Sequence, residues 1–123
     1  SGYENLKILS DIQKKLTTDR IKEVLREVGL ENNNKKLYKK YSLGMKQRLG
    51  IAAAYMENPD IVIMDEPTNS LDDSGVDMLK GILMEQKRRN ALVIISCHDL
   101  SILTELSDEI LRLENGRIVE HRK

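Results

Sequence analysis

Ile61-Val62-Ile63-Met64-Asp65-Glu66-Pro67-Thr68 is the stretch from which the rest of the chain can be read. Four apolar residues, three of them β-branched, run without a polar break and end in two carboxylates. Such a run fits a parallel strand buried on both faces, because crossover helices cover both sides of a parallel sheet. Asn58-Pro59-Asp60 interrupts the chain just before it, since proline lacks an N–H and clashes inside a helix. Leu92-Val93-Ile94-Ile95 repeats the pattern. Between the two runs, Gly75 to Asn90 places Val76, Leu79, Ile82 and Leu83 on one helical face. Upstream, Met45 to Glu57 does the same with Met45, Leu49, Ala52, Ala53 and Met56. Helix, strand, helix, strand in that order predicts an α/β layer with a parallel sheet. Asp99 to Leu106 reads as a short helix. Glu109 to Glu114 and Arg117 to His121 flank Asn115-Gly116, the strongest two-residue hairpin signal.

The chain before this region is helical in pattern. Ile21, Val24, Leu25 and Val28 follow the i, i+3, i+4, i+7 spacing of one helix face. Thr18 or Asp19 can cap its start and Gly29 can end it. An earlier helix is expected from Glu4 to Lys15, with Leu6, Leu9 and Leu16 on its buried side. Asn32-Asn33-Asn34 reads as a polar loop. Charge also divides the chain, at residue 48. Residues 1–48 carry 12 Lys+Arg and 6 Asp+Glu, and residues 49–123 carry 8 and 14. A net of +6 against −6 is consistent with two sub-units of structure, or with two solvated faces that differ. The expected division is a helical part over 1–58 and a second part over 59–123.

Composition narrows the function. The 123 residues have a formal charge of zero, with 20 Lys+Arg against 20 Asp+Glu, so there is no general basic field for nucleic acid. The apolar runs, among them Ile51–Met56, Ile61–Met64 and Ala91–Ile95, fall far short of the ~20 residues of a membrane-spanning helix. No charged-then-apolar leader opens the chain, which leads to an expectation of an intracellular protein. One Cys cannot build a disulfide framework or a multi-Cys metal site.

Three segments carry chemistry. A strand that delivers Asp65 and Glu66 to its carboxyl end places them where α/β proteins bind ligands. Adjacent carboxylates there are costly to bury without a positive partner. A Mg²⁺ ion held by one, with the other accepting a proton from water, is one reading; a pair of acids capping the next helix is the other. In Tyr41-Ser42-Leu43-Gly44-Met45-Lys46-Gln47-Arg48, Ser42 can cap the following helix. Helix N-termini attract anions, and Gly44 lets backbone approach a phosphate. Lys46 and Arg48 add positive charge. Alone, this segment is also simply a capped basic helix. Ser96-Cys97-His98-Asp99 follows the second strand, so His98 is expected on the same sheet edge as Asp65 and Glu66. One His makes no zinc site, and Cys97 reads as a small buried residue.

Taken in order, Tyr41 to Arg48, then Ile61 to Thr68, then Ser70-Leu71-Asp72, then His98 resembles the second half of an ABC transporter ATP-binding subunit, over nearly the whole chain. The implied fold is α/β, an incomplete P-loop NTPase core of ABC type with an α-helical signature subdomain. By that resemblance Ser42, Gly44 and Met45 belong to the signature loop, which binds the γ-phosphate of ATP held by a second ATP-binding subunit. Asp65 looks like the Mg²⁺-serving Walker B acid, Glu66 like the general base, Asp72 like part of the D-loop and His98 like the switch histidine. The signature departs from Leu-Ser-Gly-Gly-Gln: Leu43 replaces a glycine and Met45 a glutamine. The Ser-Leu-Gly-Met-Lys-Gln-Arg form is similar to bacitracin- or lantibiotic-resistance exporters.

The resemblance implies ATP and Mg²⁺ as ligands, a membrane permease as partner, no nucleic acid, and a cytoplasmic place on the inner face of the membrane. Non-transport ABC ATPases and a non-catalytic α/β interaction domain are the alternatives. The phosphate-cradling Gly-x-x-x-x-Gly-Lys-Ser/Thr loop does not occur in these residues, nor does any Gly-Lys pair. The family's glutamine loop is also absent. The expectation is therefore a truncated subunit that holds ATP poorly and does not hydrolyse it alone. In the family fold a first strand sits between Leu92–Ser96 and the hairpin. Without it each buried unsatisfied backbone group costs about 1–3 kcal/mol, and open edges invite self-association.

Overall fold

The computed structural model describes residues 1–13, 17–33 and 36–123. Three helices, α1 (Gly2–Gln13), α2 (Thr18–Glu27) and α3 (Leu43–Tyr55), pack on one another. Single 3-10 turns at Glu31–Asn33 and Tyr38–Lys40 lie between α2 and α3. Strand β1 (Ile61–Asp65), helix α4 (Asp73–Arg88), strand β2 (Leu92–Ser96) and the short α5 (Leu100–Leu106) follow. A hairpin of β3 (Ile110–Glu114) and β4 (Arg117–Arg122) closes the order. No helix among the described residues is long and apolar enough to cross a membrane.

The helices form where the apolar spacing places them, and their ends follow cap chemistry. The α2 cap is Thr17, not Thr18 or Asp19: its side chain accepts from the Arg20 N–H at 3.2 Å. Past α2, Gly29 takes φ 77° and Leu30 N–H returns to the Leu25 carbonyl at 2.8 Å, a left-handed stop that glycine favours. In α1, Leu6 is fully buried, but Leu9 is 41% exposed, contrary to expectation. Leu16 and Asn34 lie outside the described residues, and the expected loop at Asn32-Asn33 is a 3-10 turn. Ser42 caps α3, which begins and ends two residues earlier than its apolar pattern; Tyr55 and Ile51 join its buried face. In α4, Leu79, Ile82 and Leu83 are buried as expected; Val76 is half-buried, and Gly75 and Gln86 are buried as well.

β1 and β2 are parallel, with Ile61 opposite Leu92 and Asp65 opposite Ser96. α3 packs on β1 and α4 on β2. Val62 and Met64 enter a core shared with Leu6, Ile21, Leu25, Tyr55 and Leu79. The expectation of strands buried on both faces fails. Ile61, Ile63, Leu92 and Ile94 are 49–67% exposed, because no described element lies over that side. The strands alternate, one face in and one face open. The hairpin is antiparallel with a bulge at Arg112/Leu113, and Asn115 (φ 50°) and Gly116 (φ 77°) make the turn. It pairs as a separate two-stranded sheet.

Candidate functional site

The parallel strands bring three of the sequence-selected residues together. Asp65 ends β1, Glu66 follows it, and His98 lies two residues beyond β2. His98 Nε2 is 3.0 Å from Glu66 Oε1. The His98 side chain is 97% exposed while that of Glu66 is 21% exposed, so the imidazole stands in solvent beside a largely sheltered carboxylate. Ser96 fastens the edge: its hydroxyl donates to Asp65 Oδ1, and its Oγ and carbonyl oxygen both accept from the Glu66 N–H, at 3.2 and 2.9 Å. Glu66 itself sits at φ 49°, a left-handed conformation that an L residue adopts at a cost. The tight turn that this allows is what carries its carboxylate back over the end of β2. Cys97 is half-buried rather than buried, with Sγ 3.7 Å from Thr68 Oγ1.

Four other selected residues gather at a second place. Ser42, Gly44, Met45 and Asp72 line a cleft of about 280 Å³ with Arg48, Ser70 and Leu71. Ser42 is exposed, and its Oγ accepts from the Met45 N–H at 3.1 Å, which is the capping role the sequence offered. A Cβ on Gly44 would fall 2.9 Å from the Ser70 carbonyl oxygen, so the helix start and the Ser70 turn touch only because this residue is glycine. Asp72 caps α4, accepting from the Gly75 N–H at 2.8 Å and the Ser74 hydroxyl at 2.9 Å. Those two bonds, the backbone one foremost, hold its carboxyl below the usual carboxylate range, and nearby Arg48 adds to the effect.

Two residues outside the selected set connect these places. Gln47 Nε2 donates to the Glu66 carbonyl at 3.0 Å, tying α3 to the acidic turn. Arg48 Nη1 donates to the Val28 carbonyl at 3.0 Å, and its Nη2 lies 3.6 Å from Asp72 Oδ1. The positive charge expected around Ser42 is thus partly committed elsewhere. Lys46 lies over the Tyr38 ring at 5.2 Å, and Arg48 serves Val28 and Asp72. Helix periodicity held a signal for Gln47 and Arg48, since both lie one turn from Gly44 toward the buried Ile51. Among the described residues no group of three or more His, Cys, Asp or Glu could hold a metal ion. Asp65 is an exposed oxygen donor. That fits the sparse protein shell of Mg²⁺, which takes one or two carboxylates and completes its octahedron with water and phosphate oxygens.

Comparison with known proteins shows the family. The family described as "ABC transporter" matches residues 2–69. The chain is 44% identical over 122 residues to the ABC transporter ATP-binding protein YybJ of Bacillus subtilis (strain 168), covering 99% of this chain and 56% of that protein. It is 40% identical to the bacitracin transport ATP-binding protein BcrA of Enterococcus faecalis, over 98% of this chain and 39% of that one. It is 39% identical to the lantibiotic transport ATP-binding protein SrtF of Streptococcus pyogenes, over 97% of this chain and 52% of that one. A solved structure of an ATP-binding subunit of an ABC transporter superposes with a TM-score of 0.86 at 28% identity, over 99% of this chain and 52% of the other. The chain spans about half the length of the relatives it matches.

Proposed function

The chain belongs to the ABC transporter ATP-binding proteins, and from that premise we propose that it forms the water-activating portion of an ATP-hydrolysing subunit. In this reading residues 1–58 are the helical subdomain and 59–123 the later half of the nucleotide core. The observation that carries it is the Glu66–His98 pair, 3.0 Å apart at the carboxyl end of two parallel strands. Glu66 accepts a proton from the attacking water. His98 lies 3.0 Å from Glu66 Oε1, beside the carboxylate, and would face the γ-phosphate. Asp65 holds the Mg²⁺ shell; the ion, when bound, neutralises charge on the phosphate oxygens. Ser42, Gly44 and Met45 present the start of α3, with its free N–H groups and positive dipole end, to ATP held by a second subunit. Asp72 lies beside them, on the same surface.

The bacitracin and lantibiotic transport proteins among its relatives support export of a peptide antibiotic through a membrane permease as the driven process. The subunit then sits on the cytoplasmic face. Non-transport ABC ATPases are the second reading, favoured only by the shared family. The 123 residues contain no phosphate-cradling glycine loop, and backbone N–H groups of that loop are what grip a triphosphate. The chain alone is therefore expected to release phosphate from ATP at the background rate. Release above background that Glu66→Gln abolishes would refute the inactivity. Joined to the phosphate-loop half of a relative, the chain gains turnover. Glu66→Gln then lowers it ~100-fold or more with nucleotide binding retained, the usual size of a general-base effect. Equal turnover in that variant rejects Glu66 as the base.

A further inference from the structure

Arg48 is a side chain whose contacts lie outside its own helix. It projects from α3 one turn past Gly44 and is 20% exposed. One arm of its guanidinium, Nη1, donates to the carbonyl of Val28, the last cap residue of α2. A helix-terminal carbonyl lacks an intrahelical donor, and a cation there also meets the negative end of the dipole. The other arm, Nη2, lies 3.6 Å from Asp72 Oδ1 at the start of α4. Two glycines make the room. A Cβ on Gly29 would stand 2.9 Å from Nη1, and a Cβ on Gly75 would stand 3.2 Å from Nη2 and 3.0 Å from the Leu71 Cβ. The end of α2, the middle of α3 and the start of α4 therefore meet on one planar group.

We propose that Arg48 is a positioning residue that locks α3 to both neighbours, so that Ser42 and Gly44 on one side of the cleft and Asp72 on the other move as one body. Its importance for hydrolysis rests on the reading above, in which those residues face the same nucleotide. The locking itself does not. A guanidinium suits the task because its donors are fixed in a fork, whereas a lysine ammonium is a single point charge that cannot span both sites.

Amide hydrogen exchange, followed by NMR on the 123-residue chain without nucleotide, tests it. Arg48→Ala is expected to speed exchange about tenfold at Gly29–Leu30, where the charge-assisted bond to the Val28 carbonyl is lost, and about twofold at Gly75–Val76, where the looser ion pair with Asp72 is lost. Ala52 in α3 and Leu83 in α4 keep their rates. Arg48→Lys gives the same pattern, which separates the fork from the charge. Gly75→Ala, which crowds Nη2, speeds exchange at Leu30 on the far side, and loses that effect in the Arg48→Ala background. If Arg48→Ala does not fold, Arg48→Lys serves as the background in which the Gly75→Ala effect at Leu30 must disappear. Full rescue by lysine, or an unchanged Leu30 in Gly75→Ala, overturns the proposal. Because no nucleotide is present, such a failure leaves the ATP reading standing, and an ATP reading that fails in turnover leaves the coupling measurable.

Discussion

Tyr55 is 1% exposed, and its hydroxyl donates to Glu27 Oε1 at 2.9 Å. Burial, then the Glu27 charge and this bond, push the phenol far above its ordinary pKa; Arg20, 5.8 Å over the ring, pulls weakly the other way. A folded-state pKa raised above the unfolded value gives a stabilisation that is complete below about pH 10 and fades as pH rises past it. Tyr55→Phe should cost about 1–2 kcal/mol at pH 7, since it leaves a part-buried carboxylate without its donor. Urea titrations at pH 7 and pH 11 should show that gap narrowing at the higher pH; a constant gap refutes the assignment. Asp99 has the opposite sign. The Ser101 hydroxyl foremost, then the Ile102 and Ser101 N–H groups, hold its carboxyl low. Its contribution is present above the ordinary Asp pKa and lost as pH falls through the depressed one. Asp99→Asn should therefore have a flatter melting profile on acidification from pH 5 to pH 3, and an unchanged slope counts against it.

At the scale of elements, the sequence was most readable where one local rule decides. The apolar spacing of α2 and α3, the Ser42 cap, the Gly29 stop and the Asn115-Gly116 turn each depend on neighbours within a few residues, and each is present. The α2 cap was misplaced by one or two residues because Thr17, Thr18 and Asp19 are all competent oxygen acceptors, and only backbone φ/ψ picks Thr17. The coming together of Glu66 and His98 was legible as well, since both follow parallel strands at the same edge. Gln47 was not singled out and Arg48 was read only as positive charge, because their partners Glu66, Val28 and Asp72 are 19 to 24 residues away and helix periodicity names no partner. Ser42→Ala gives the cap a measure: a loss of about 1 kcal/mol in chemical denaturation, with faster exchange at the Met45 amide. A stability equal to wild type would mean that the Met45 N–H finds another acceptor.

For the whole molecule, the strand faces show what a pattern cannot supply. A run such as Ile61-Val62-Ile63-Met64 states that both faces are apolar but not what covers them. Here α3 and α4 cover one face, and Ile63 on the other remains 67% exposed. The hairpin repeats the situation: Leu111, Leu113 and Ile118 are 52–64% exposed, while Arg112–Glu114 and Arg122–Glu120 pairs occupy its charged residues. A two-stranded hairpin is marginal in water by itself, and contiguous exposed apolar surface promotes association. Both edges of β1–β2 are also open, because each strand has a single partner among the described residues. The chain should therefore self-associate as its concentration rises, with a sedimentation coefficient that climbs across the micromolar range. Ile63→Lys should suppress this with little change in folding, because the substituted side chain already meets solvent and a lysine on an open strand face opposes pairing. A wild-type chain that sediments as a monomer throughout that range would show that the open face is not an association surface. If Ile63→Lys associates as wild type does, the contact lies instead on the hairpin, and Leu113→Lys becomes the variant that should disperse it.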